Sequence, residues 1–248
     1  MEFVPSPSAN GTPSLEGCTL VIACAAHATV GQLAADLIIN TLNLRRAGLL
    51  LTPHVLPCCG NDALGDTPAG ALSTASEVFT GAIAGLAVVQ QRSPAARGSQ
   101  KALAADLAAW AERAGIARVV ALAGVEPRKA AQVASLAGAP AFRYVCGRKW
   151  TITPPSDWQT LETDTLGGVT LYESRTPPWP LLQACDDRGV PCAALLLFAS
   201  DGDNALSGAE LASRASALLP CGAMARTVWK RPAAWAFAAD DIAMMSTR

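Results

Sequence analysis

A short apolar run that passes directly into a long amphipathic helix is the feature that most restricts this chain. Thr19–Ala25 carries Leu20, Val21 and Ile22 and reads as a buried strand. Just beyond it, Thr29 and Gln32 have the Thr-x-x-Gln spacing of a capping box. Val30, Leu33, Ala34, Leu37, Ile38, Thr41 and Leu42 then recur at the spacing of one helical face, with Asp36, Asn40 and Asn43 on the polar side. Arg45 and Arg46 suit the negative end of the helix dipole, and Gly48 suits its termination.

The same alternation continues. Leu49–Thr52 is a second candidate strand, and Pro53 to Gly70 reads as a loop rich in breakers. Glu77–Ile83 and Leu86–Gln91, joined around Gly85, look like paired strands. Lys101–Arg113 is a helix with Leu103, Leu107, Trp110 and Ala114 as its apolar stripe and Gly115 at its end. Arg118–Ala123, Gly168–Tyr172 and Ala193–Ala199 read as strands, and Leu181–Asp187 as a short helix. A second capping box, Ser207-x-x-Glu210, opens a helix to about Leu219, with Leu206 and Leu211 placed for a hydrophobic staple. The stretch from Pro127 to Leu166 has too little periodicity to assign. Strands alternating with helices predict an α/β domain with a largely parallel central sheet flanked by helices. Residues 1–14, rich in Ser and Pro, read as a flexible lead to a single domain over 15–248.

Composition narrows the function. The 248 residues suffice for one large core, and a formal net charge of −1 offers no electrostatic pull on nucleic acid or an anionic membrane. Charged residues make up 16% of the chain, against roughly 25% in typical domains. A partner covering much of the surface would explain this; so would the fifty alanines. No run of 18 apolar residues occurs, so no spanning helix is expected. Met1–Ser14 resembles neither a signal nor a transit peptide. Of eight cysteines, Cys24 and Cys192 sit in apolar runs, where a free thiol acts as a small apolar group. Cys58-Cys59 lacks a second pair at zinc-finger spacing, so reduced thiols in a cytosolic or nuclear protein are expected.

Few residues suggest chemistry. His27-Ala28-Thr29-Val30-Gly31 has the strand-to-helix geometry that can hold an anion, without a phosphate-loop motif; an ordinary capped helix is the favoured reading. Asp201-Gly202-Asp203-Asn204 follows a strand, where ligand crevices form, and could hold Mg²⁺. A turn that prepares the next helix is the reading favoured over a metal site. His27 and His54 are the only histidines, and no Gly-x-Ser-x-Gly elbow is present. Phe142-Arg143-Tyr144 and Trp229-Lys230-Arg231 mix aromatic and basic residues as interface hot spots do; each also reads as a core aromatic beside a solvated charge.

These residues, in this order, resemble the proteasome assembly chaperone 2 family. The resemblance rests on Phe3-Val4-Pro5, on the run Val30 to Asn43, and on Gly60-Asn61, Glu77-Val78, Gln91-Arg92-Ser93 and Ala117 to Val120. It continues through Phe142-Arg143-Tyr144, Leu195 to Phe198, Asp201 to Asn204, Trp229-Lys230-x-Pro232 and Trp235. It implies a single domain similar to nucleoside-phosphorylase-like folds. It also implies a heterodimer with proteasome assembly chaperone 1 that promotes assembly of the 20S proteasome α-ring and prevents aberrant α-ring dimers, without cofactor or catalysis. Partner-binding candidates are Arg143, Asp201, Asp203, Asn204, Trp229, Lys230 and Arg231; no catalytic, cofactor or metal residues are expected. Met244 to Arg248 lack the hydrophobic-Tyr tail with which some members of the wider group dock, so the folded surface is expected to make the contacts. Two other readings stay open: a phosphorylase- or hydrolase-like enzyme sharing the fold, and a small-molecule sensor using the Thr29–Gly31 helix start.

Overall fold

The computed structural model describes residues 1–7, 13–65, 71–81, 83–126, 141–161, 177–220 and 228–235, with the backbone of 165–166 and 169–170. Its strands are β1 (Glu2–Pro5), β2 (Thr19–Ala23), β3 (Arg45–Leu51), β4 (Cys59–Asn61), β5 (Leu72–Thr74), β6 (Ser76–Thr80), β7 (Leu86–Gln91), β8 (Arg118–Val125), β9 (Phe142–Cys146), β10 (Thr165–Leu166), β11 (Val169–Thr170) and β12 (Cys192–Phe198). Its helices are α1 (Val30–Thr41), α2 (Gln100–Arg113), α3 (Trp179–Arg188) and α4 (Ala205–Ser216).

Eight strands form one sheet in the order β1-β3-β6-β7-β2-β8-β12-β9. The strands β7, β2, β8 and β12 run parallel at its centre, and they are apolar almost throughout because helices cover both faces. Helices α1 and α4 pack with Val21, Val88, Leu122 and Leu195 on one face. Helices α2 and α3 pack with Leu20, Ile22, Val89 and Leu196 on the other.

The expected largely parallel sheet holds only at this centre. The β1–β3, β3–β6, β6–β7 and β9–β12 pairs are antiparallel, so the sheet is mixed. Chain length between strands explains the β6–β7 pair: a short connection makes a hairpin, whereas a parallel pair needs a crossover of a dozen or more residues. The expected lead over 1–14 is also corrected at its start. Glu2–Pro5 is an edge strand on β3, the Phe3 ring lies 6.2 Å from that of Trp110, and the Met1 α-amine sits 3.2 Å from Asp106 Oδ2. Residues 8–12, the 127–140 and 162–164 parts of the unassigned stretch, Gly168, Leu171 and Tyr172 of the expected strand, Cys221 and the Met244 to Arg248 tail lie outside the described residues.

Helix α1 departs most from its periodicity. It ends at Thr41, and Arg45 and Arg46 open β3 instead of closing the helix. Gly48 lies within β3, where the register with β6 shifts and a Cβ would meet the Phe3 ring and the Val4 carbonyl. Asp36 and Asn40, placed on the polar side by sequence, are each 5% exposed. Neither capping box forms. Thr29 is left-handed (φ 55°) and makes no side-chain cap bond, and Ser207 lies inside α4, behind an Asn204 N-cap that makes none either. The staple fails with it: Leu211 is buried and Leu206 is exposed. A cap needs an extended residue whose side chain turns back onto the first helical N–H groups, and the left-handed Thr29 aims elsewhere.

The contribution of α1 therefore comes from packing. Leu37→Ala is expected to cost about 2–5 kcal/mol, since Leu37 is fully buried. Thr29→Ala is expected to stay within about 0.5 kcal/mol, because it removes no cap. Urea denaturation of both variants checks this ordering.

Candidate interaction site

In an open α/β sheet, ligands bind where adjacent parallel strands send their helices to opposite faces. Here that place lies between the ends of β2, which leads to α1, and β7, which leads to α2. A side chain from α1 reaches into it, beside a small cavity of about 40 Å³ lined by Cys24, Ala25 and Gln91. Gln32 Nε2 donates to the carbonyls of Gln91 (3.0 Å) and Arg92 (3.2 Å), and Gln90 Nε2 donates back to Gln32 O (2.9 Å). The glutamine read as half of a capping box instead laces helix to sheet. At the neighbouring strand ends, His27 Nε2 is 3.9 Å from Asp201 Oδ1, whose side chain is 90% exposed. Such a pair is screened by solvent and holds little.

Deeper under α1 lies a charged network. Asp36 accepts from Gln90 Nε2 (2.7 Å) and from Arg92 Nη2 (2.8 Å) and Nη1 (3.3 Å). Arg92 Nε is 3.9 Å from Glu77 Oε2, and Glu77 Oε1 accepts from Arg46 Nη1 at 2.9 Å. Burial pushes the Glu77 carboxyl above its ordinary value of 4.5, while Arg46 and Arg92 pull it back. Burial likewise pushes the Cys24 thiol up to about 12, with Cys185 adding to the rise, so this thiol is a packing group.

The expected partner-binding residues divide. Arg143, on β9, is fully buried: its Nη1 donates to Phe142 O (2.8 Å) and its guanidinium lies 6.0 Å from the Phe198 ring centre. It is therefore not a surface contact of this chain; a long side chain on a sheet face that neighbouring residues cover is carried inside with them. Asn204 is also buried, and its Nδ2 closes the loop onto the Ser200 (2.9 Å) and Gly202 (3.1 Å) carbonyls. Asp203 Oδ1 accepts from Ala205 N–H (3.0 Å). The loop thus has the turn geometry that prepares α4, with Asp201 and Asp203 facing solvent.

Trp229 is core: its indole packs in the α1–α4 layer and Nε1 donates to Ser213 Oγ (2.9 Å). Lys230 is exposed, and its N–H donates to Thr41 Oγ1 (2.9 Å). Asn40 Nδ2 reaches both the Lys230 and Arg231 carbonyls, at 3.0 and 2.7 Å. Residues 228–235 are therefore a strap across the end of α1, and Asn40 is its anchor. Asn40, Glu77, Arg46 and Arg92 escaped the sequence reading as a group. The available signal was a pair of glutamines, Gln90 and Gln91, ending an otherwise apolar strand.

A sequence model of the PAC2 family matches residues 20–203. The chain belongs to the PAC2 family. Among relatives of this PAC2-family chain, "Proteasome assembly chaperone 2" of Nematostella vectensis is 30% identical over 235 residues, covering 84% of this chain and 92% of its own. "Proteasome assembly chaperone 2" of Bos taurus is 29% identical over 212 residues, covering 80% of each chain. Pyrococcus furiosus PbaB, "an archaeal proteasome activator", superposes with a TM-score of 0.60 at 14% identity over 88% of both chains. P. furiosus PbaA, "an archaeal homolog of proteasome-assembly chaperone", does so with 0.55 at 12% identity, over 84% of this chain and 79% of its own. At these identities the structural matches establish a shared fold.

Two measurements check the PAC2-chain geometry. Asn40→Ala leaves two strap carbonyls without their donor, so a loss of about 1–3 kcal/mol is expected, with faster amide exchange in 228–235. Glu77 makes stability pH-dependent. Its folded pKa lies above the unfolded one, so from pH 4.5 upward the folded state holds a proton that the unfolded chain has released. Its contribution is full below that window and is lost as pH rises through the folded pKa. Urea titrations should show Glu77→Gln gaining stability relative to wild type as pH rises from 4.5 to 7.

Proposed function

We propose that this chain is a proteasome assembly chaperone. The observation that carries the reading is the match to relatives of that name along most of both chains, 92% of the relative's length in the Nematostella case. The family is non-enzymatic.

In its finer form, the chain pairs with proteasome assembly chaperone 1, and the heterodimer promotes α-ring assembly and prevents aberrant α-ring dimers in the cytoplasm and nucleus. A charged fraction of 16% and the exposed Leu51 and Leu56 favour a surface covered by a partner. Asp201, Asp203, Lys230 and the half-buried Arg231 are the candidate contacts that solvent reaches. Kinship with nucleoside-phosphorylase-like folds belongs to the same reading, supported by the four parallel strands at the centre of the sheet.

Affinity purification of the tagged chain from its own cells tests this. Proteasome α-subunits and a second chaperone of the family are expected to co-purify, and cytoplasmic and nuclear fractions are expected to contain the complex. Recovery of the chain with neither partner would sink the reading.

A further inference from the structure

The C-terminal end of α1 meets β3, β6 and the β4–β5 hairpin around an open cavity of about 470 Å³. That volume is within the usual range for small-ligand pockets. Ile39, Leu44, Leu64 and Phe79 give it apolar walls, and Leu72 stands at it, 48% exposed. Its charged groups are unequal in access. Glu77 is 2% exposed and already accepts from Arg46, while Arg46 is 37% exposed and Arg45 is exposed. Asp62 also lines the cavity, and its oxygens accept from Leu64 N–H and Gly65 N–H, both at 3.2 Å.

Arg46 uses one corner of its guanidinium. Nη1 donates to Leu72 O (2.6 Å) and to Glu77 Oε1 (2.9 Å). Among the described residues, no acceptor meets Nε or Nη2. Two parallel N–H donors on one planar edge match the two oxygens of a carboxylate. The bonds at Nη1 fix the plane of the group, so little side-chain freedom remains to be lost on binding.

We propose that this cavity binds a carboxylate carried on an apolar body, with the acid group on the Nε–Nη2 edge of Arg46 and the apolar part against Ile39, Leu44, Leu64 and Phe79. An amine or guanidinium is disfavoured because Arg45 and Arg46 outweigh the one carboxylate that solvent reaches: Glu77 is shut behind Arg46, and the half-buried Asp62 already accepts from the Leu64 and Gly65 N–H groups. The acid has two sources of the same chemistry: a free aliphatic acid, or the C-terminal residue of another chain. Binding here is independent of the chaperone reading, so either can fail alone.

The test uses the full chain, titrated by calorimetry with octanoate, octanamide, and the peptide acetyl-Ala-Ala-Leu as free acid and as C-terminal amide. At least one acid is expected to bind, and its amide to bind about tenfold more weakly or worse, because the charge-assisted pair is lost. Octanoate binding alone identifies a free acid as the source, and peptide-acid binding alone identifies a chain terminus; binding of both supports the site for the shared chemistry. Arg46→Gln should abolish the preference for acid over amide, though it also strips Glu77 of a partner. Leu72→Glu avoids that difficulty: an exposed position tolerates the change, and the new carboxylate competes for Arg46. It should weaken the acids about tenfold while leaving the urea midpoint unchanged. Failure of both acids to bind, equal affinity for acid and amide, or a folded Leu72→Glu chain with undiminished acid binding would each overturn the proposal.

Discussion

Helix α1 can lie where it does because Gly31 has no side chain. A Cβ there would meet the Leu122 carbonyl on β8, so the first turn of the helix sits directly on the sheet backbone. The far side of α1 makes a second close approach, where a Cβ on Gly208 of α4 would stand 2.7 Å from Leu33 Cβ. Sheet below and α4 beside it leave α1 buried over most of its circumference. A helix so enclosed cannot keep a solvated polar face, and its polar residues must find partners inside the protein.

That requirement accounts for much of the remaining architecture. Asp36 draws in Gln90 of β7 and Arg92 just beyond it, and Arg92 in turn approaches Glu77 on β6. Gln32 bridges to the carbonyls at the end of β7, reaching into the crevice where sheets of this type commonly hold ligands. Asn40 fixes the 228–235 strap across the helix end. One glycine contact thus sets a depth of burial, and the depth of burial selects a set of hydrogen bonds that join α1 to distant parts of the chain. The Glu77 carboxyl shows the cost of this arrangement, since burial outweighs two nearby guanidinium groups.

Legibility followed the origin of each signal. Strands β2, β7, β8 and β12 were visible because a strand covered on both faces is apolar at every position. Helix α2 was visible because its stripe of Leu103, Leu107 and Trp110 faces one layer only, and Gly115 at φ +68° closes it. Strand β9 was hidden, because Arg143 interrupts its apolar run, and β1 was hidden by the Ser- and Pro-rich residues that follow it. Of the candidate contacts, the loop at 201–204 was found as a turn, whereas the burial of Arg143 and Trp229 depends on what packs over them. The Arg46 cavity assembles residues from α1, β3, β6 and the β4–β5 hairpin, and no local pattern links those segments.

By itself the sequence determined the class of the fold, its buried strands and the family resemblance, because runs of apolar residues and short motifs are local properties of the chain. Tertiary structure alone decided the strand order, the antiparallel placing of β1, β3 and β9, and the faces of α1. It also decided the fate of both capping boxes and the split of the candidate residues between interior and surface. The reason is physical: a polar side chain carries no mark of whether it will meet water or a buried partner. At Asp36, Asn40 and Gln32 that choice was made by how closely Gly31 and Gly208 let the helices approach.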